Sequence, residues 1–354
     1  MNAGDDIFIH VVAWGLRRYE QAGRLFMDCD LSGRLSRLCG IHTAQLHRCR
    51  IPGLPRLRRA WFRHKARCFV LAGGTLLPTL KGTQELLADK HWTRSGRRRI
   101  ALGFSVGPFQ SPGHEDAVVE LLNSMDYVAF RDDSSFEWAV AHKLKARFSR
   151  SFDLAVLLPQ TLPQFNRSRG KERVLGISLL ASEAQKNPGG LARDLEVASQ
   201  IGAVVEKLAG KLNLKVIFFS LCLNSDSDDR VMARAFANAC KASRLELFEH
   251  NSDPVRTFEK VRSCSHMVSM RLHGGIMAFT AAVPFLQLEY HPKCREFAAT
   301  IGLSQPHRLD MEAFSTEVFS KKLEALVGFD SILSAMDLAS AQERARSNFD
   351  LTAS

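Results

Sequence analysis

The chain has 354 residues, of which 45% are hydrophobic, and a formal net charge of +11. That apolar content suits two domains of about 150 residues each, and no stretch approaches the roughly 18 consecutive apolar residues of a membrane-spanning helix. Eight scattered cysteines without a CxxC pair exclude a disulfide-stapled scaffold and fit free thiols in a reducing cytoplasm.

The N-terminus, MNAGDDIFIH, carries acidic residues where a signal peptide would carry lysine or arginine, so secretion is not expected. The following DDIFIHVVAWGLRRYE spaces its apolar residues helically and predicts a helix over Asp6–Tyr19. A basic region comes next. Between Leu31 and Ile100, sixteen Lys or Arg face only Glu85 and Asp89, so the rest of the chain is slightly acidic. Its densest clusters are Arg56–Lys65 (RLRRAWFRHK) and Arg94–Arg99 (RSGRRR). Such a field suits a polyanion: an anionic membrane surface, or a phosphorylated or lipid-linked glycan. No helix-turn-helix, zinc finger or aromatic RNA-binding stripe favours nucleic acid. A merely solvated basic face is the plain alternative.

Apolar runs that end in glycine or polar turns predict strands at Cys68–Ala72, Ile100–Ser105 and Tyr127–Phe130, with a fourth run at Phe152–Leu158. A helix is expected from Asp133 or Ser134, either of which could cap it. Residues Pro159–Arg173 are rich in Pro, Arg and turn formers and read as a boundary. A second alternating set follows. Its strands are VLGISLL, KVIFFSL, LELF, His266–Met270 and Phe285–Leu288. Its helices are Leu191–Ala209, Asp229–Lys241, Pro254–Ser263 and one from Gly274 to Val283-Pro284, with an amphipathic tail over Ser320–Ala341. The fold class expected is α/β, two Rossmann-like domains facing a cleft. Their bounds are 1–160 and 172–330, with a C-terminal amphipathic helix and tail over 331–354.

The segment Ser269–Tyr290, SMRLHGGIMAFTAAVPFLQLEY, sets Arg271 and His273 between a strand's end and a helix's first turn. In open α/β sheets ligands bind at that edge, and the unpaired N–H groups of a helix start favour an anion. Arginine offers a fork for carboxylate or phosphate, histidine titrates near neutrality, and Gly274 and Gly275 would open the approach. The plain alternative pairs Arg271 with a structural carboxylate and lets His273 cap the helix. Gly73-Gly74-Thr75 and Arg131-Asp132-Asp133 share this placement after strands, though no Walker lysine follows the glycines. There is no HExxH, no serine nucleophile elbow and no metal-spaced histidine set.

Taken in order, these pieces resemble the polysaccharide pyruvyl transferase family. Asn2-Ala3-Gly4-Asp5-Asp6 is similar to its N-x-G-D-[DE] segment, and Gly73–Leu77 to its GG-x-L-type loop. Gly103–Pro108 and Arg131–Ser135 match its G-x-S/G-V-G-P and R-D-x-x-S elements. Most specific are R-L-H-x-x-I-x-A at Arg271–Ala278 and P-x-x-x-L-x-Y-x-x-K at Pro284–Lys293. The similarity spans about Asn2 to Gly302. Two features depart from it. The family's first strand and glycine turn should precede Asn2, so either the first domain lacks that strand or the stated start lies downstream of the true one. The basic region Arg34–Arg67 is the other departure.

The resemblance implies a GT-B-like fold and an enzyme that moves the pyruvyl (enolpyruvyl) group of phosphoenolpyruvate to vicinal or 1,3-placed hydroxyls of a cell-surface glycan or its precursor, as a pyruvate ketal. Phosphoenolpyruvate is then the donor substrate, and no cofactor or metal is required. His273 would act as general acid, Arg271 would grip the donor, and Asp5 or Asp132 would accept the incoming hydroxyl's proton. Gly274, Gly275, Tyr290, Lys293, Gly73, Gly74 and Arg131 would line the donor pocket. The first domain takes the acceptor side and the second the donor side. An anionic or lipid-linked glycan acceptor fits the basic region, as does a cytoplasmic protein peripheral to the inner membrane. Two rivals remain at this stage: a nucleotide-sugar-dependent GT-B glycosyltransferase, and a non-catalytic basic module binding anionic glycans or nucleic acid.

Overall fold

The computed structural model describes residues 2–28, 31–43, 54–73, 77, 79–92, 96–162, 172–187, 189–241 and 244–351. The chain forms two compact units, Met1–Ile7 with Leu162–Ser340, and Phe8–Thr161 with Ala341–Ser354. Each terminus thus groups with the distant half of the chain, unlike the contiguous segments 1–160, 172–330 and 331–354 expected from the sequence.

The unit containing Leu162–Ser340 holds six parallel strands, β7 (Val174–Ser178), β8 (Lys215–Ser220), β9 (Leu245–Glu249), β10 (His266–Ser269), β11 (Phe285–Glu289) and β12 (Arg308–Asp310). They lie in the order β12-β11-β10-β7-β8-β9. This is the doubly wound arrangement, and its direction reverses between β7 and β10. The central strands β7, β10 and β11 are largely apolar because helices cover both faces, although Gln287 and Glu289 are buried among them. Val174–Ser178 and Phe285–Glu289 are buried at every position. The long helix Gly190–Leu212 turns Ala198, Ile201, Val205 and Leu208 inward, onto a core that includes Ile177, Phe218, Val268 and Leu286.

The other unit carries a parallel sheet of β3 (Cys68–Ala72), β4 (Arg98–Phe104), β5 (Tyr127–Phe130) and β6 (Arg147–Arg150), in that order. A separate parallel pair, β1 (Leu25–Met27) and β2 (Ile41–Thr43), does not join it. Helices α1 (Ala3–Tyr19) and α2 (Gly33–Cys39) cover one face of the pair, where Leu25, Met27 and Ile41 meet Ala13 and Leu35. Helix α3 (Leu54–Lys65) covers the other, with Phe62 stacked on Phe26 at 4.1 Å. The C-terminal residues lock onto the four-stranded sheet through fully buried Asn348. Its Oδ1 accepts the Gly103 N–H at 2.6 Å and its Nδ2 donates to the Phe152 carbonyl at 3.1 Å.

Several expectations need correction. The apolar run Phe152–Leu158 is not a strand but runs into a 3-10 helix, Leu154–Thr161, started where the Asp153 carboxylate accepts the Ala155 N–H. The strand lies just before it, in the polar Arg147–Arg150 at the sheet edge. The tail over Ser320–Ala341 is two helices, Thr316–Leu326 and Leu338–Arg346, interrupted after Val327-Gly328. Helix Asp133–Ala141 is capped by Asp132, which accepts the Ser135 N–H at 2.8 Å, rather than by Asp133 or Ser134. Helix α1 starts at Ala3 rather than Asp6, because Asn2 Oδ1 accepts the Gly4 N–H at 3.0 Å. No disulfide joins the described cysteines.

Candidate active site

Arg271 and His273 follow β10 directly, at the switch point of the six-stranded sheet, with Arg271 as N-cap residue of the helix Leu272–Thr280. The N-terminal motif comes to the same place. Ala3 N–H donates to the Leu221 carbonyl at 2.8 Å and Asn2 bridges Cys222, which docks the start of α1 on the loop after β8. Each residue of the motif then has a separate task. Asn2 caps the helix. Gly4 lies under the His273 ring, where a Cβ would stand 2.1 Å from Nδ1. Asp6 is buried and its Oδ2 lies 2.6 Å from His250 Nε2, while His250 Nδ1 lies 2.7 Å from Thr257 Oγ1.

Asp5 alone of these remains exposed. Partial desolvation of its carboxyl, and then the neighbouring Asp6 charge, push its pKa above the usual aspartate value, while Lys293 and Arg271 pull it back. It is therefore a stronger base than an isolated aspartate, held beside two cations. Tyr290 packs partly against the core, and burial pushes its phenol far up, so it is a neutral hydroxyl at any physiological pH. Lys293 belongs to the first turn of Pro292–Thr300, whose N-cap is His291.

The Arg271 fork is not open. Its Nε and Nη2 donate to the Asp229 carboxylate at 2.5–3.2 Å, and Nη2 also donates to Ser227 O and Oγ at 3.0 and 2.6 Å. Asp229, with its side chain 1% exposed, further accepts the Leu221 and Cys222 N–H groups at 3.0 and 2.9 Å. The alternative that pairs Arg271 with a structural carboxylate is therefore what the geometry shows. Among the described residues Nη1 has no partner, so the pair also aims the guanidinium and leaves it one edge to offer.

Gly274 and Gly275 serve another purpose than a clear approach. A Cβ on Gly274 would stand 2.2 Å from Ser269 Oγ, and one on Gly275 2.1 Å from Gln287 Oε1. Both are buried against the sheet, and their lack of side chains lets the helix sit close to β10 and β11.

The remaining expected residues lie in the other unit. Arg131 is buried and donates to Ser105 Oγ at 2.7 Å and Asp153 Oδ2 at 2.9 Å. Asp132, besides capping its helix, accepts from the Ser105 hydroxyl. Gly73 follows β3 and donates its N–H to the Leu102 carbonyl, whereas Gly74 lies outside the described residues. Sequence reasoning missed Asp229, Ser227, His250 and Ser178. The last sits in register with Ser269, its hydroxyl buried without a partner among the described residues. The signal for Asp229 was present in the acidic loop SDSDDR after β8.

Gly4→Ala is expected to cost about 1–3 kcal/mol by forcing the His273 ring aside. Urea unfolding checks it, and a midpoint equal to wild type would show that the two residues do not bear on each other.

The sequence pattern described as polysaccharide pyruvyl transferase matches residues 40–292. No curated protein matches the chain significantly. Among solved structures, the UDP-GlcNAc 2-epimerase from Neisseria meningitidis bound to UDP-GlcNAc aligns at 10% identity and a TM-score of 0.60, covering 99% of this chain and 92% of that one. The enzyme of that name from Methanocaldococcus jannaschii gives 10% identity, a TM-score of 0.62 and coverages of 95% and 94%. The S. aureus MnaA–UDP co-structure gives 10%, 0.64, 98% and 89%. At such identity the likeness is one of fold, a GT-B-like two-domain α/β architecture.

Proposed function

The chain belongs to the polysaccharide pyruvyl transferase family, and on that premise we propose that it transfers the pyruvyl unit of phosphoenolpyruvate to paired hydroxyls of a glycan, as a ketal. The observation that carries this reading is the convergence of Asp5, Arg271, His273, Tyr290 and Lys293 around a helix N-terminus at the sheet's switch point. A small donor bearing both carboxylate and phosphate suits two cations beside the positive end of a helix.

In this mechanism Arg271 Nη1 and Lys293 hold the donor's anionic groups, and Tyr290 donates a hydrogen bond. His273, as imidazolium, delivers a proton to the methylene carbon, and C2 becomes electrophilic. A sugar hydroxyl adds to C2 and its proton passes to Asp5. The C2–O bond to phosphate then breaks as Asp5 passes its proton to the departing phosphate oxygen, inorganic phosphate leaves, and the second hydroxyl closes the ketal while giving its proton to His273. One phosphoenolpyruvate and one diol thus become one ketal and one phosphate. The basic region supports an anionic or lipid-linked acceptor on the cytoplasmic side of the inner membrane, with the unit containing Leu162–Ser340 holding the donor.

Phosphate release from phosphoenolpyruvate, followed across a panel of glycan acceptors, tests the reading. Release should require an acceptor and leave a ketal methyl resonance in the product. Release of equal rate without any acceptor would contradict it.

A pH prediction follows from Asp5. Only the ionised carboxylate accepts a proton, so kcat/KM falls as pH drops through its raised pKa. Lys293 lowers that pKa, so Lys293→Met should move the acidic limb to higher pH, while Lys293→Arg should leave it in place. An acidic limb unmoved in Lys293→Met would remove Asp5 from the role of base.

A further inference from the structure

We propose that the outer face of helix α3 docks on an anionic lipid bilayer. The helix has the sequence LPRLRRAWFRHK and contains no acidic residue. Leu54, Arg58 and Phe62 lie on its inner side, where Phe62 stacks on Phe26 and lies 6.0 Å from the His42 ring. One turn apart on the outer side stand Leu57 and Trp61, 70% and 51% exposed, with exposed Ala60 beside them.

The charge carried by the helix itself is of one sign, and the described carboxylates that meet it are Asp28 and Asp89. Arg59 and Arg63 pair with Asp28, and Arg63 also with Asp89, so those two cations are compensated. No carboxylate among the described residues pairs with exposed Arg56, Lys65 or Arg67, which flank the apolar pair and continue past it. Two apolar side chains are far too small a patch for a stable protein interface, which needs about 1,000 Å² or more. A leucine and a tryptophan rimmed by cations are what an interfacial helix inserts among headgroups, with tryptophan at the headgroup level and the cations against anionic lipid. This surface lies outside the proposed active site, and its test does not depend on the transferase reading.

The experiment is cosedimentation of the full chain with vesicles of phosphatidylcholine containing phosphatidylglycerol, and with vesicles of phosphatidylcholine alone. Binding should occur only to the anionic vesicles, weaken with salt, and shift the emission of the four tryptophans to the blue by an amount that Trp61→Phe removes. Leu57→Ser/Trp61→Ser should bind at least about tenfold more weakly. Arg56→Gln and Lys65→Gln should each weaken binding by roughly fivefold. Because Trp61 also touches Phe62 edge-on, Leu57→Gln alone provides a second variant, expected to weaken binding at an unchanged unfolding midpoint. Wild-type protein that stays in the supernatant, or a double variant that sediments as well as wild type, would overturn the proposal.

Discussion

Replacing His273 by glutamine is expected to slow acceptor-dependent phosphate release by about 10²–10⁴-fold. Glutamine keeps a donor of similar reach but cannot surrender a proton to carbon. The loss should therefore fall on kcat, with KM for phosphoenolpyruvate nearly unchanged, since the proposed mechanism gives the donor's charge to Arg271 and Lys293. The substitution also leaves Gly4 room, because the new side chain is slimmer than the ring it replaces. Steady-state kinetics with separate kcat and KM decide the matter. A fall confined to KM would make His273 a binding group, and a wild-type rate would move the proton transfer elsewhere.

Asp229→Asn is expected to destabilise the fold by about 3–5 kcal/mol, the usual cost of removing one partner from a buried ion pair. The asparagine has nearly the same shape, but it cannot offer two anionic oxygens to Arg271 and to the Leu221 and Cys222 N–H groups together. One of its two terminal atoms becomes a donor facing donors. Urea unfolding measures the loss. In whatever folded fraction remains, the freed guanidinium should raise KM for phosphoenolpyruvate rather than lower kcat alone. A loss below about 1 kcal/mol, that of a single ordinary hydrogen bond, would mean that Asp229 does not organise this corner.

The elements legible in the sequence were those whose signal is local. Buried parallel strands announce themselves as apolar runs, and Tyr127–Phe130 and Cys68–Ala72 have the bounds expected of them. The placement of Arg271 and His273 was legible for the same reason, since a strand, a helix start and two glycines adjoin in one segment. What depends on distant residues was not. Asp229 is 42 residues from Arg271, and nothing near either one states the pairing. Nor does the N-terminal motif disclose that Gly4 makes room for the His273 ring. Glycines in a helix look alike whether they admit a ligand or a sheet, and only the Ser269 and Gln287 side chains beneath Gly274 and Gly275 decide between them. Arg147–Arg150 escaped notice because an edge strand needs no apolar run, whereas Leu154–Pro159, buried throughout, imitated one.

Thermal unfolding of the full chain, titrated with phosphoenolpyruvate and separately with UDP, tests the donor assignment most directly, because only a ligand of the native state raises the midpoint. Phosphoenolpyruvate should raise it saturably, in wild type but not in Arg271→Met measured from that variant's own baseline, and UDP should leave it unmoved. Saturable protection by UDP with none from phosphoenolpyruvate would contradict the assignment and point to a nucleotide-sugar donor.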